Sequence, residues 1–76
     1  MSTNHFINKR AREELGYNLW LLRRERNLNL QRLSIKTSIP TYIIDGMERG
    51  RHFEFNAFYK LADFYGKKMH IMFENK

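Results

Sequence analysis

Seventy-six residues make one domain, close to the lower size limit for a core that stands alone. The chain has no Cys, which excludes disulfide, zinc-thiolate and thiol-nucleophile chemistry, and no apolar run nears the roughly 20 residues of a membrane span. Fourteen Lys and Arg against eight Asp and Glu give a formal charge of +6, which favours a polyanionic partner.

Residues 1–7 have no clear period and read as a loosely held N-terminal arm, without a signal-peptide pattern. That makes a cytoplasmic protein the default expectation. A helix is predicted over residues 8–26, where Ala11, Leu15, Leu19 and Leu22 fall on one stripe. Asn27 suits its exit. Tyr17, Trp20 and Leu21 point away from that stripe, and Phe6 joins them if the helix begins early. Either the arm or the tail folds over this second apolar side, or a subunit or partner covers it; a large exposed apolar patch favours the interface.

Residues 28–50 divide into two short helical patterns around a tight connection. Asn29 is an N-cap type, followed by Leu30, Leu33 and Thr37 at helical spacing. Pro40 disfavours helix at the residue before it and suits the start of a new one. The second pattern, residues 41–49, puts Ile44 and Met47 on one face, and Gly50 stops it. Helices this short are stable only when packed on each other and on their neighbours. The expectation is a helix-turn-helix with residues 41–49 free to enter a DNA groove.

A further helix is predicted from Phe55 to Tyr65, with Phe55, Phe58, Leu61, Ala62 and Tyr65 as its buried face, Glu54 at the cap position and Gly66 at its end. In the tail, residues 67–76, Met69, Ile71 and Phe73 alternate with Lys68, His70, Met72 and Glu74, apart from Met72 a period of two that favours a strand over a fifth helix. A lone strand has unpaired edges, so pairing with the same strand of a second copy is the economical solution. The fold class is therefore all-α: a compact bundle of four to five helices around a helix-turn-helix at residues 8–66, with a dimerising C-terminal strand.

In such an arrangement the start of the second short helix reads base edges, which singles out Thr41, Tyr42, Ile43 and Asp45. Thr41 can hydrogen-bond a base or phosphate, Tyr42 and Ile43 can lie against a thymine methyl, and Asp45 can accept from a cytosine amine or simply be solvated. Asn29 and Gln31 at one helix start, and Arg49, Arg51, His52 and Asn56 beyond the other, are the phosphate candidates. Arg10 and Arg12, near the arm, are within reach of a minor groove. His5, His52 and His70 have no ligand-like or triad-like spacing, and no carboxylate pair stands out, so neither an enzyme nor a metal, cofactor or small-molecule site is expected.

The segments LGYNLWLLRRERNLNLQRLS, SIPTYIIDGMERG and FNAFYKLADFYG resemble the Cro/C1-type, or xenobiotic-response-element (XRE), helix-turn-helix family of bacterial and phage regulators. The resemblance covers about three quarters of the chain and is strongest at IIDGMERG. It implies a lambda-repressor-like fold and an ion pair between Arg23 and Glu48. Leu30 stands where the family usually has Gln, Ser38 where it favours a left-handed Gly, and Gly46 where phage repressors often have a reader. The family includes repressors, controller proteins and antitoxins, and the alternating tail looks most like the antitoxin branch. Two expectations follow. One is a homodimeric, double-stranded-DNA-binding transcriptional regulator on a pseudo-palindromic operator. The other is an antitoxin or other protein-interaction module, with a toxin or other partner on the Tyr17, Trp20 and Leu21 face.

Overall fold

The computed structural model describes residues 8–67, and these form four α-helices with no strand among them. They are α1 (Lys9–Glu25), α2 (Leu30–Thr37), α3 (Thr41–Glu48) and α4 (Phe55–Phe64). The arm at residues 1–7 and the tail readings at Met69, Ile71 and Phe73 lie outside the described residues. No described helix is long and apolar enough to cross a membrane.

Local signals set most of the boundaries. The Asn8 and Asn29 side chains each accept the backbone N–H three residues on, at 2.8 Å, and so cap α1 and α2. Three helices then stop in the same way. After α1, Asn27 turns left-handed (φ 55°), and the N–H groups of Asn27 and Leu28 donate back to the carbonyls of Arg24 and Arg23. Gly50 and Gly66 do the same after α3 and α4, both at φ 73°. At Gly50 a second constraint is added, because a Cβ there would come within 2.9 Å of the Cα of Glu13. Pro40 serves as the N-cap of α3, its carbonyl accepting from Ile43 and Ile44. Glu54 occupies the corresponding position before α4 but makes no side-chain cap hydrogen bond.

Ser38 joins α2 to α3 in the left-handed region at φ 63°. That conformation costs an L-residue roughly 1–2 kcal/mol, and the exposed Ser38 side chain has no hydrogen-bond partner among the described residues to offset it. Ser38→Gly should accordingly raise stability by about 0.5–1 kcal/mol in urea unfolding, once the greater freedom of glycine in the unfolded chain is set against the relief of strain. A loss of stability on this substitution would mean that the hydroxyl shapes the turn.

The core comprises Leu15 and Leu19 from α1, Leu33 from α2, Ile39, Ile44 and Met47 around α3, and Phe53, Ala57, Phe58, Leu61, Ala62 and Tyr65 around α4. α3 packs against both α1 and α2, and α4 supports α2. One assignment from the periodicity, Phe55 on the buried face of α4, is corrected. Phe55 is 50% exposed, whereas Phe53 is buried against Phe58 with ring centroids 5.1 Å apart. The extended backbone at Glu54 sets the direction in which the chain enters α4, and with it which of the two rings faces the core.

Tyr65 is 3% exposed, and its hydroxyl has no hydrogen-bond partner among the described residues. Burial, reinforced by the nearby Glu48 carboxylate, pushes its pKa up to about 12. Removing an unsatisfied buried donor costs little, so Tyr65→Phe should leave stability unchanged or raise it by about 1 kcal/mol. The phenol ionises near its ordinary value of about 10 in the unfolded chain and only near 12 in the fold. The raised pKa therefore contributes stability below pH 10 that is lost as pH rises towards 12. Wild type should weaken relative to Tyr65→Phe across that window and run parallel to it below. Parallel curves throughout would show that the hydroxyl is hydrated.

Candidate nucleic-acid interface

α3 has one face in the core and one in solvent. Ile44 and Met47 are fully buried, while Tyr42 is 72% exposed, Arg49 is exposed, and Asp45 is half-exposed between them. Tyr42, Asp45 and Arg49 stand at i, i+3 and i+7, which places them on one stripe. Thr41 is half-buried at its upper edge. Ile43 is also half-buried and packs against the core, so of the four base-reading candidates it is the least available.

The stripe carries its own ion pair. Arg49 Nε donates to both carboxylate oxygens of Asp45, at 3.0 and 3.1 Å. Asp45 is thus neither a free acceptor nor an isolated charge facing phosphates. Gly46 does not lie on this stripe. It is buried, and a Cβ there would run into the His52 imidazole. Its lack of a side chain therefore makes room for His52 and takes nothing from the exposed face. His52 is correspondingly half-buried against α3, which gives it a packing role that the sequence pattern did not reveal.

The flanking candidates separate into engaged and free groups. The Asn29 side chain is occupied as the cap of α2, whereas Gln31, Arg51 and Asn56 are exposed. Arg32, unmarked by the sequence reading, is exposed on the first turn of α2 beside Gln31. A basic residue one turn into a capped helix was the available signal. Arg12 is drawn away from the role considered for it, since its Nε donates to the Gly50 carbonyl at 3.1 Å. Arg10 forms an exposed i, i+4 pair with Glu14 at 3.5 Å.

Behind the stripe, Arg23 of α1 ties three segments together. Its Nε and Nη2 each donate to a Glu48 carboxylate oxygen at 2.8 Å, and Nη1 donates to the Leu28 carbonyl at 3.1 Å. The side chains are only 14% and 4% exposed. The Glu48 hydrogen bond, opposed by burial, raises the pKa of Arg23 above its ordinary range. α1 meets the end of α3 closely because residue 16 is glycine: a Cβ there would lie 2.6 Å from the Glu48 carbonyl oxygen and nearer still to that of Met47.

On the remaining flank, Tyr17 and Trp20 stack with ring centroids 5.8 Å apart, and the Arg24 guanidinium lies 4.8 Å above Trp20. Tyr17 and Leu21 are exposed, but Trp20 is half-buried. Tyr17 and Trp20 form one wall of a groove of about 450 Å³, with Leu30, Asp45 and Arg49 among its other lining residues. The apolar patch is therefore smaller than the α1 periodicity predicts, because Trp20 is partly covered by its own chain. Comparison of the chain with protein-family models, curated proteins and solved structures returns no match.

Proposed function

We propose that this chain is a sequence-specific, double-stranded-DNA-binding transcriptional regulator of the Cro/C1 type, a repressor acting as a homodimer on a pseudo-palindromic operator. In this reading α2, the connection at residues 38–40 and α3 are a helix-turn-helix, and α3 is the helix that enters the major groove. The observation that carries it is the solvent face of α3, where Tyr42, Asp45 and Arg49 line up opposite a core-locked Ile44 and Met47. A helix held by one face and bare on the other, flanked by Gln31, Arg32, Arg51 and Asn56, suits a groove with phosphates on both sides. The formal charge of +6 supplies the sequence-independent part of the affinity through counterion release, so binding should weaken steeply with salt.

The test is the double substitution Thr41→Ala, Tyr42→Ala, assayed by fluorescence anisotropy on duplexes with and without the preferred site. Site preference should fall roughly 10-fold or more while residual nonspecific binding persists. Unchanged preference in the variant sinks this assignment.

A second reading, an antitoxin-like protein-interaction module, draws on the stacked Tyr17 and Trp20 beside exposed Leu21. A partner docking there would shift Trp20 emission, and DNA binding would then be secondary. The two readings separate on whether Trp20 emission responds to a protein partner or the chain responds to duplex sequence.

A further inference from the structure

Resting on the DNA-binding reading, we propose that Arg49 reads a guanine in the major groove and that Asp45 is the positioning residue that aims it. Arg49 follows α3 directly as its C-cap, a place that by position alone suits a phosphate contact. Its side chain, however, runs back along the helix, as helical side chains do, and its Nε meets Asp45 one turn earlier at 3.0 and 3.1 Å. The charged head therefore lies over the middle of the exposed stripe, level with the residues that enter the groove.

The chemistry of the guanidinium decides what it can recognise there. With Nε engaged, Nη1 and Nη2 remain as a planar, two-pronged donor edge, and the Arg49 side chain is 59% exposed. That edge matches the O6 and N7 acceptors of guanine, the pairing that gives arginine its usual base specificity. Adenine presents a donor at the equivalent position and is refused. Asp45, with a side chain 32% exposed, fixes the plane of the fork before binding, which reduces the rotamer freedom lost on contact. The pairing also neutralises the Asp45 carboxylate, which alone would repel the phosphates lining the groove. Of the residues on the exposed stripe, Tyr42, Asp45 and Arg49, only Arg49 offers a two-pronged donor edge, so the reader comes from the C-terminal cap of the helix.

The experiment measures anisotropy of the full chain on the inverted repeat it selects, with every base pair of a half-site replaced in turn. One position in each half-site should prefer guanine over the other bases by roughly 10-fold or more. Arg49→Ala and Arg49→Lys should flatten the preference at that position only, with Arg49→Lys retaining the salt dependence. Asp45→Asn should reduce the guanine preference several-fold while affinity for nonspecific duplex holds or rises, an effect that a purely helix-stabilising pair would not produce. The proposal is overturned if Arg49→Ala weakens all duplexes alike and lowers the salt slope by about 1, which marks a phosphate contact. It is equally overturned if Asp45→Asn leaves guanine preference intact. Failure of the folded wild-type chain to select any repeat would overturn the DNA-binding reading and this proposal with it.

Discussion

Glu48→Ala should destabilise the domain by about 3–5 kcal/mol, the cost of leaving one member of a buried ion pair without its partner. A domain of this size has a total stability of only roughly 4–11 kcal/mol, so the variant should sit at or near the edge of folding at 25 °C. The size of the effect follows from the geometry. Both carboxylate oxygens accept from Arg23 at 2.8 Å, and the two side chains are 14% and 4% exposed. Without Glu48 the Arg23 guanidinium keeps one bond, to the Leu28 carbonyl, and is open to water only on the side that faces the Tyr17 and Trp20 groove. Glu48→Gln should fall between, since the amide keeps one acceptor and turns a donor towards the guanidinium. Replacing both partners with apolar residues, Arg23→Met with Glu48→Leu, should cost markedly less than Glu48→Ala, because no charge is left buried. Urea unfolding of the four proteins checks the order. A loss below about 1 kcal/mol for Glu48→Ala would place the pair among ordinary surface ion pairs.

Gly16→Ala is the second large effect, with an expected cost of about 3 kcal/mol despite alanine being the better helix former by about 1 kcal/mol. The added Cβ would meet the carbonyl oxygens of Met47 and Glu48, and backbone cannot swing aside as a side-chain end can. α1 and α3 would have to separate, which would stretch the Arg23–Glu48 bonds at the same crossing. Gly16→Val should abolish cooperative folding. The control is Asn18→Ala, at an exposed position of the same helix, which should be neutral or slightly stabilising. Thermal melts of the three variants separate the contact from helix propensity. Equal stabilisation by Gly16→Ala and Asn18→Ala would show that α1 and α3 do not approach this closely.

Both effects lie at the contact between α1 and α3, and they differ in how visible they are in the sequence. Asn8, Asn27, Asn29, Gly50 and Gly66 announce the helix ends because capping is a local matter of a few residues. The core positions Leu15, Leu19, Leu33, Ile44 and Met47 show through their spacing. Gly16 carries no such mark: its requirement comes from a backbone more than 30 residues away, and within its own helix it is only a poor helix former. The separation of Arg23 and Glu48 by 25 residues likewise hides their pairing from any local pattern, and only the family resemblance suggested it. At Phe55 periodicity gives the wrong answer and at Phe53 it gives none, because the direction of entry into α4 decides which ring is buried. The candidate site was legible in outline, as the exposed face of α3. Its detail was not: the roles of Gly46 and His52 depend on a contact across the turn after α3, and the Asp45–Arg49 pair, although at an i, i+4 spacing, couples two residues that spacing alone assigns to different tasks.

Selection of binding sites from a random double-stranded pool at about physiological salt, where nonspecific phosphate binding is weak, decides whether α3 reads DNA. Enrichment of an inverted repeat whose half-sites are about one helical turn apart, each containing the position read by Arg49, is the expected result. A folded protein that enriches no sequence above background would contradict it and would shift attention to the Tyr17 and Trp20 face as the working surface.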